Sequence, residues 1–152
     1  MRPLNAAYSW RDDPGVPDFE DTGCFTVMDA TCGLCARGAK WIARNDRDGA
    51  FRIIPVQSEL GAALLRHFDM VPEDPSSWLY LEHGQGYGTL DATVMVGQKL
   101  GGIWRGLAAL RVVPKPLRDA AYHLVARNRF KVMGRADLCA MPDPDVQSRL
   151  LR

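Results

Sequence analysis

Cys32-Gly33-Leu34-Cys35 sets two thiols one helical turn apart, between an apolar run from Cys24 to Met28 and an apparent helix beginning near Ala36. A helix start concentrates unpaired backbone N–H groups and the positive end of the macrodipole, and both favour thiolate over thiol. Thiol-disulfide exchange needs one cysteine that attacks as thiolate and a second that displaces the resulting mixed disulfide. The spacing places Cys32 at the exposed helix mouth, with its pKa drawn from about 8.5 into the range of roughly 3.5 to 7.5 found at such sites. Cys35, one turn inward, is then the shielded resolving thiol. Asp29, at the end of the apolar run, is either a proton acceptor for Cys35 or a cap for the turn. Placed unscreened beside Cys32 it would raise that thiol's pKa and oppose the helix. Cys32, Cys35 and Asp29 are the candidate catalytic residues.

The competing chemistry is metal binding. A C-x-x-C is half of a tetrahedral zinc site, and the other half should be a second close pair of Cys or His. Cys24 and Cys139 stand alone, and His67, His83 and His123 are scattered. The expectation is therefore no metal ligand set and no cofactor beyond the dithiol. A zinc-binding or purely interacting domain that uses the pair remains the second reading, and it predicts stoichiometric zinc or an inert disulfide. Arg127-Asn128-Arg129-Phe130-Lys131 with Arg135 reads as a helix end whose cations complement its negative pole, in preference to a nucleic-acid contact. No phosphate-cradling glycine loop or serine hydrolase signature is present.

The elements around the dithiol can be laid out from pattern. Residues 1–22, rich in proline and anchored by Tyr8, Trp10 and Phe19, form an irregular lead-in that wraps the domain or stays mobile. Cys24 to Met28 is a buried strand, Ala36 to Arg47 a helix with Ala39 and Ile42 inward, and Phe51 to Val56 a second strand. Ser58 and Glu59 open a helix through Leu60, Leu64 and Phe68. Ser77 to Leu81 and Tyr87 to Leu90 flank His83-Gly84-Gln85-Gly86 as a hairpin. The order β-α-β-α-β-β matches a thioredoxin-like α/β core. Helical patterns at about 92–100, 103–111 and 117–128 form a C-terminal extension of the same domain, residues 23–152, with Leu117, Ala121, Leu124 and Val125 on one face. Pro75 is the nearest candidate for the cis-proline such a core carries opposite its dithiol. Trp78, Trp104, Tyr80 and Tyr122 read as core or groove-lining residues.

At 152 residues and 47% hydrophobic content the chain can bury a core without staples. Its 19 basic and 18 acidic side chains leave a net charge of +1, which announces neither a nucleic-acid nor a membrane partner. The first twenty residues lack the apolar core of a signal peptide, and no run approaches the length of a membrane span. A cytoplasmic, reducing location follows as the default, with a protein or small-molecule disulfide as substrate and a cellular thiol as reductant.

Asp29-Ala30-Thr31-Cys32-Gly33-Leu34-Cys35 resembles the signature of the DCC family of predicted thiol-disulfide oxidoreductases, named for that aspartate and two cysteines. The resemblance continues through Pro55-Val56-Gln57-Ser58, Asp91-Ala92, Pro114, Pro116, Arg118-Asp119, Tyr122, Ala126-Arg127-Asn128-Arg129, Gly134 and Cys139. Ala30 stands where the family usually has glycine, and Leu90 where a serine commonly precedes Asp-Ala. The resemblance implies a thioredoxin-like fold and a redox activity carried by Cys32 and Cys35. It also implies that Arg127, Asn128 and Cys139 belong to a shared feature, one that holds the extension against the dithiol face.

Overall fold

The computed structural model describes residues 3–74 and 77–151. Strand β1 (Cys24–Met28) is an apolar run without alternation, and all of it is buried, as befits a strand covered on both faces. It lies inside a four-stranded sheet of order β2-β1-β3-β4, with β2 at Phe51–Pro55, β3 at Leu79–Glu82 and β4 at Gln85–Gly88. β1 runs parallel to β2, with Val27 opposite Ile54, and antiparallel to β3, with Val27 opposite Leu79. β3 and β4 join through His83-Gly84, which have φ of 48° and 76°, the left-handed pair that a tight hairpin requires.

Helix α1 (Gly33–Asn45) links β1 to β2, α2 (Glu59–His67) links β2 to β3, and α3 (Thr89–Leu100) follows β4. Ser58 caps α2, its hydroxyl accepting from the Gly61 N–H at 3.0 Å. The pleat sorts the side chains of β1 between two cores. Cys24 and Met28 pack with Ala39 and Ile42 of α1 and Ala92 and Val96 of α3. Phe25 and Val27 pack on the other face with Leu64 and Leu65 of α2. This is a thioredoxin-like α/β arrangement. The lead-in closes the α2 face: Trp10 is buried in that core, and His67 binds Asp13 Oδ2 at 2.6 Å and Ser9 Oγ at 2.8 Å.

Beyond α3 come a 3₁₀ run over Gly102–Val112, the long helix α4 (Lys115–Met133) and the short α5 (Pro144–Gln147). No helix among the described residues is long and apolar enough to cross a membrane. Leu117, Ala121, Leu124 and Val125 do share a face of α4, but that face looks outward: Leu117 is 65% exposed, Leu124 57% and Val125 50%. The inward face carries Arg118, Tyr122, Ala126 and Arg129. Arg118 lies 2.9 Å from Asp91 with both side chains buried, and Arg129 reaches Asp29 at 3.8 Å and Asp74 at 3.4 Å. Ion pairing lets guanidinium groups sit inside, and a count of apolar periodicity cannot register it.

Other expectations shift at their edges. α1 begins at Gly33, because Cys32 itself is the N-cap residue. Thr89 and Leu90 belong to α3 and not to the hairpin, since the Thr89 N–H donates to Ser77 Oγ and turns the chain. The segment at 103–111 is 3₁₀ and not α-helical. Pro75 lies outside the described residues.

Candidate functional site

After β1 the chain turns through Asp29-Ala30-Thr31 to Cys32, which is extended at φ −97°, ψ 124° and caps α1. Asp29 builds that turn. Its Oδ1 accepts from the Thr31 N–H at 2.9 Å, the Thr31 hydroxyl at 2.8 Å and Gln57 Nε2 at 2.9 Å. Gln57 Oε1 in turn accepts from the Ala30 N–H at 3.1 Å. Burial pushes the Asp29 carboxyl up, but these hydrogen bonds and the Arg129 charge outweigh burial and hold it below the ordinary carboxylate value. A carboxylate held this way caps and orients well and is a weak proton acceptor at neutral pH.

Cys32 falls from the ordinary thiol value to about 6, chiefly through the neighbouring Cys35 thiol, with the Cys35 and Leu34 N–H groups and Arg129 assisting against burial. Cys35 moves strongly upward, through the neighbouring Cys32 thiol first, then burial and the Cys32 charge. Both shifts favour charge on Cys32 and the proton on Cys35.

Exposure runs opposite to the expectation from spacing. Cys32 is 0% exposed, while Cys35 is half-buried and opens onto a cleft. The cause is a strap that follows α4. Gly33 N–H donates to Gly134 O at 3.2 Å, Ala136 N–H to Thr31 O at 3.1 Å and Leu138 N–H to Ala30 O at 2.8 Å. Cys32 and Arg135 pair as an antiparallel bridge. A Cβ on Gly33 would run into the backbone carbonyls of Met133 and Gly134, so glycine permits this close approach. Gly33→Ala should displace the strap, raising the alkylation rate of Cys32 by a bulky maleimide at least about tenfold at a stability cost of about 1–3 kcal/mol. An unchanged rate in the folded variant would remove the strap as the barrier.

The cleft beside Cys35 has a volume of about 510 Å³ and is walled by Leu34, Trp41, Trp78, Tyr122 and Val125, a size and lining suited to a ligand site. A smaller recess continues from Cys35, Trp78 and Tyr122 to Asp29 and Arg129. Trp104 packs edge-on against Trp41 at 5.1 Å, and Tyr80 is core.

Arg129 is the site residue that sequence reasoning underrated. Within the basic cluster, Arg127, Lys131 and Arg135 are exposed, whereas Arg129 is buried over Asp29. Its presence in the family series was the available signal. Cys24 lies at the other end of β1, 3.6 Å from Glu82, with its pKa raised by burial first and the Glu82 charge second. Cys139 packs against the α1–α3 core, and its carbonyl accepts from Gln147 Nε2 at 2.9 Å. Among the described residues no group of three or more Cys, His, Asp or Glu is placed to hold one ion, so the zinc reading lacks a donor set there.

The family profile of the DCC1-like thiol-disulfide oxidoreductases matches residues 26–135. Among curated proteins, the chain is 34% identical over 125 residues to YuxK, an uncharacterized protein of Bacillus subtilis, covering 82% of this chain and 91% of that one. It is 32% identical over 123 residues to a chloroplastic DCC family protein of Arabidopsis thaliana, covering 80% and 72% respectively. No solved structure gives a significant match.

Proposed function

The chain belongs to the DCC1-like thiol-disulfide oxidoreductase family, and we propose that it carries out exchange with Cys32 as the attacking thiolate and Cys35 as the resolving thiol. One feature supports this reading: Cys32 caps the N-terminus of α1 with its pKa drawn down to about 6, while that of Cys35, one turn inward, is pushed up. Cys32 attacks one sulfur of a substrate disulfide, forms a mixed disulfide and expels the other sulfur as thiolate. Cys35 then attacks Cys32, its proton passing to the departing sulfur, and the second substrate thiol leaves. The substrate gains two electrons and the protein becomes a Cys32–Cys35 disulfide. A cellular thiol recharges it, so in a reducing compartment the direction is reduction. Asp29 serves as a positioning residue that shapes the turn, and access to Cys32 requires the strap over Gly134 to Leu138 to move aside.

Trapping tests the assignment. Cys35→Ser incubated with a small aromatic disulfide should accumulate a stoichiometric mixed disulfide at Cys32, while Cys32→Ser should lose exchange by at least about a hundredfold at neutral pH. Retention of exchange in Cys32→Ser would reverse the roles or end the reading.

A further inference from the structure

The neutral balance of the whole chain conceals a division along it. Residues 92–136 hold nine of the chain's 19 Lys and Arg but one of its 18 Asp and Glu. The helical extension is therefore strongly cationic and the remainder acidic. Arg118 and Arg129 are buried against Asp91 and Asp29, and the single acid, Asp119, is held by Lys115 at 2.7 Å. Arg105, Arg111, Arg127, Lys131 and Arg135 stand exposed.

The same stretch carries protruding aliphatic side chains. Of the eight large hydrophobics exposed among the described residues, six are Ile103, Val112, Leu117, Leu124, Val125 and Val132, with Ile103 84% and Val112 87% exposed. On α4, helical periodicity aligns Leu117, Leu124 and Lys131, sets Arg127 on one flank and places Val125 with Val132 on the other. This helix turns its aliphatic residues outward and its paired arginines inward, the reverse of a helix that packs only on its own core.

We infer that the outward face of α4 docks on an anionic lipid surface. Aliphatic side chains that protrude singly can enter the acyl boundary while neighbouring Arg and Lys meet headgroup phosphates, which is the interfacial mode of binding. A nucleic-acid backbone would reward the cations but leave the protruding Leu and Val against polar groups. Val125 also belongs to the wall of the cleft beside Cys35, so the rim of that cleft lies on the docking face. The inference stands apart from the dithiol chemistry, because lipid binding can be measured without any exchange.

Co-sedimentation of the full chain with vesicles decides it. Phosphatidylcholine vesicles containing about 30 mol% phosphatidylglycerol should bind at least about tenfold more protein than phosphatidylcholine alone, and high salt should remove most of the difference. Leu117→Glu with Leu124→Glu, and separately Arg127→Glu with Lys131→Glu, should each reduce that binding by about tenfold while Cys32 keeps its alkylation profile. Equal partitioning onto neutral and anionic vesicles would overturn the inference. So would no pelleting at all, or retention on polyglutamate without vesicle binding, which would assign the face to an acidic protein.

Discussion

Reduced protein alkylated across pH should show a single inflection for Cys32 near pH 6. At pH 7 that leaves about 90% thiolate, against a few per cent, roughly, for an ordinary cysteine. The Cys35 thiol is the largest contributor to this depression, so Cys35→Ala should carry the inflection upward by at least about one pH unit. Serine at the same position retains a donor and should shift it less. An inflection unmoved by Cys35→Ala would place the effect at the helix N-terminus and Arg129 instead. The same groups shape stability. The folded pKa of Cys32 lies below its unfolded value, so its contribution is present above the ordinary thiol value and is lost as pH falls toward about 6. Cys35 is shifted the other way, so its contribution is present below the ordinary value and is lost as pH rises past it. Urea midpoints of reduced wild type relative to the Cys32→Ser, Cys35→Ser double variant should therefore rise with pH from about 6 and fall again above about 9. A difference independent of pH would contradict the assignment of both shifts.

Arg129→Met should destabilise the protein by about 3 kcal/mol and raise the Cys32 inflection at once. The guanidinium is buried, lies 3.8 Å from a buried Asp29 carboxylate and donates to Ala126 O at 3.1 Å. Its loss leaves that carboxylate without the cation facing it. Stability alone would follow from any structural role. The shift of the Cys32 inflection is the part that a merely structural residue would not produce, because Arg129 acts on that thiolate through its charge. Arg129→Lys should restore part of the inflection, since it returns the charge but not the planar fork. Removing the stranded acid in an Arg129→Met, Asp29→Asn double variant should recover part of the lost stability. A normal inflection in a folded Arg129→Met would limit the residue to holding α4 in place.

Much of this architecture is legible in local pattern. The strand at Cys24–Met28, the inward Ala39 and Ile42, the Ser58 cap and the His83-Gly84 turn all follow from neighbours a few residues apart. Periodicity and capping are short-range physics, so a linear reading recovers them. The strand-to-helix placement of C-x-x-C belongs to the same class, and so do the main causes that lower the Cys32 pKa, Cys35 and backbone N–H groups within one turn.

What packing alone decided lies far apart in the chain. The C-x-x-C spacing after an apolar run was enough to put a dithiol at a helix start. Only the tertiary structure decided that Gly134 to Leu138 would close over it, that Arg129 would face Asp29, and that Leu117, Leu124 and Val125 would point away from the core. Burial of α4 was settled by ion pairs with partners on other elements, Asp91 with Arg118 and Asp29 with Arg129. Such pairs depend on where distant carboxylates come to lie, and no spacing along one helix encodes that.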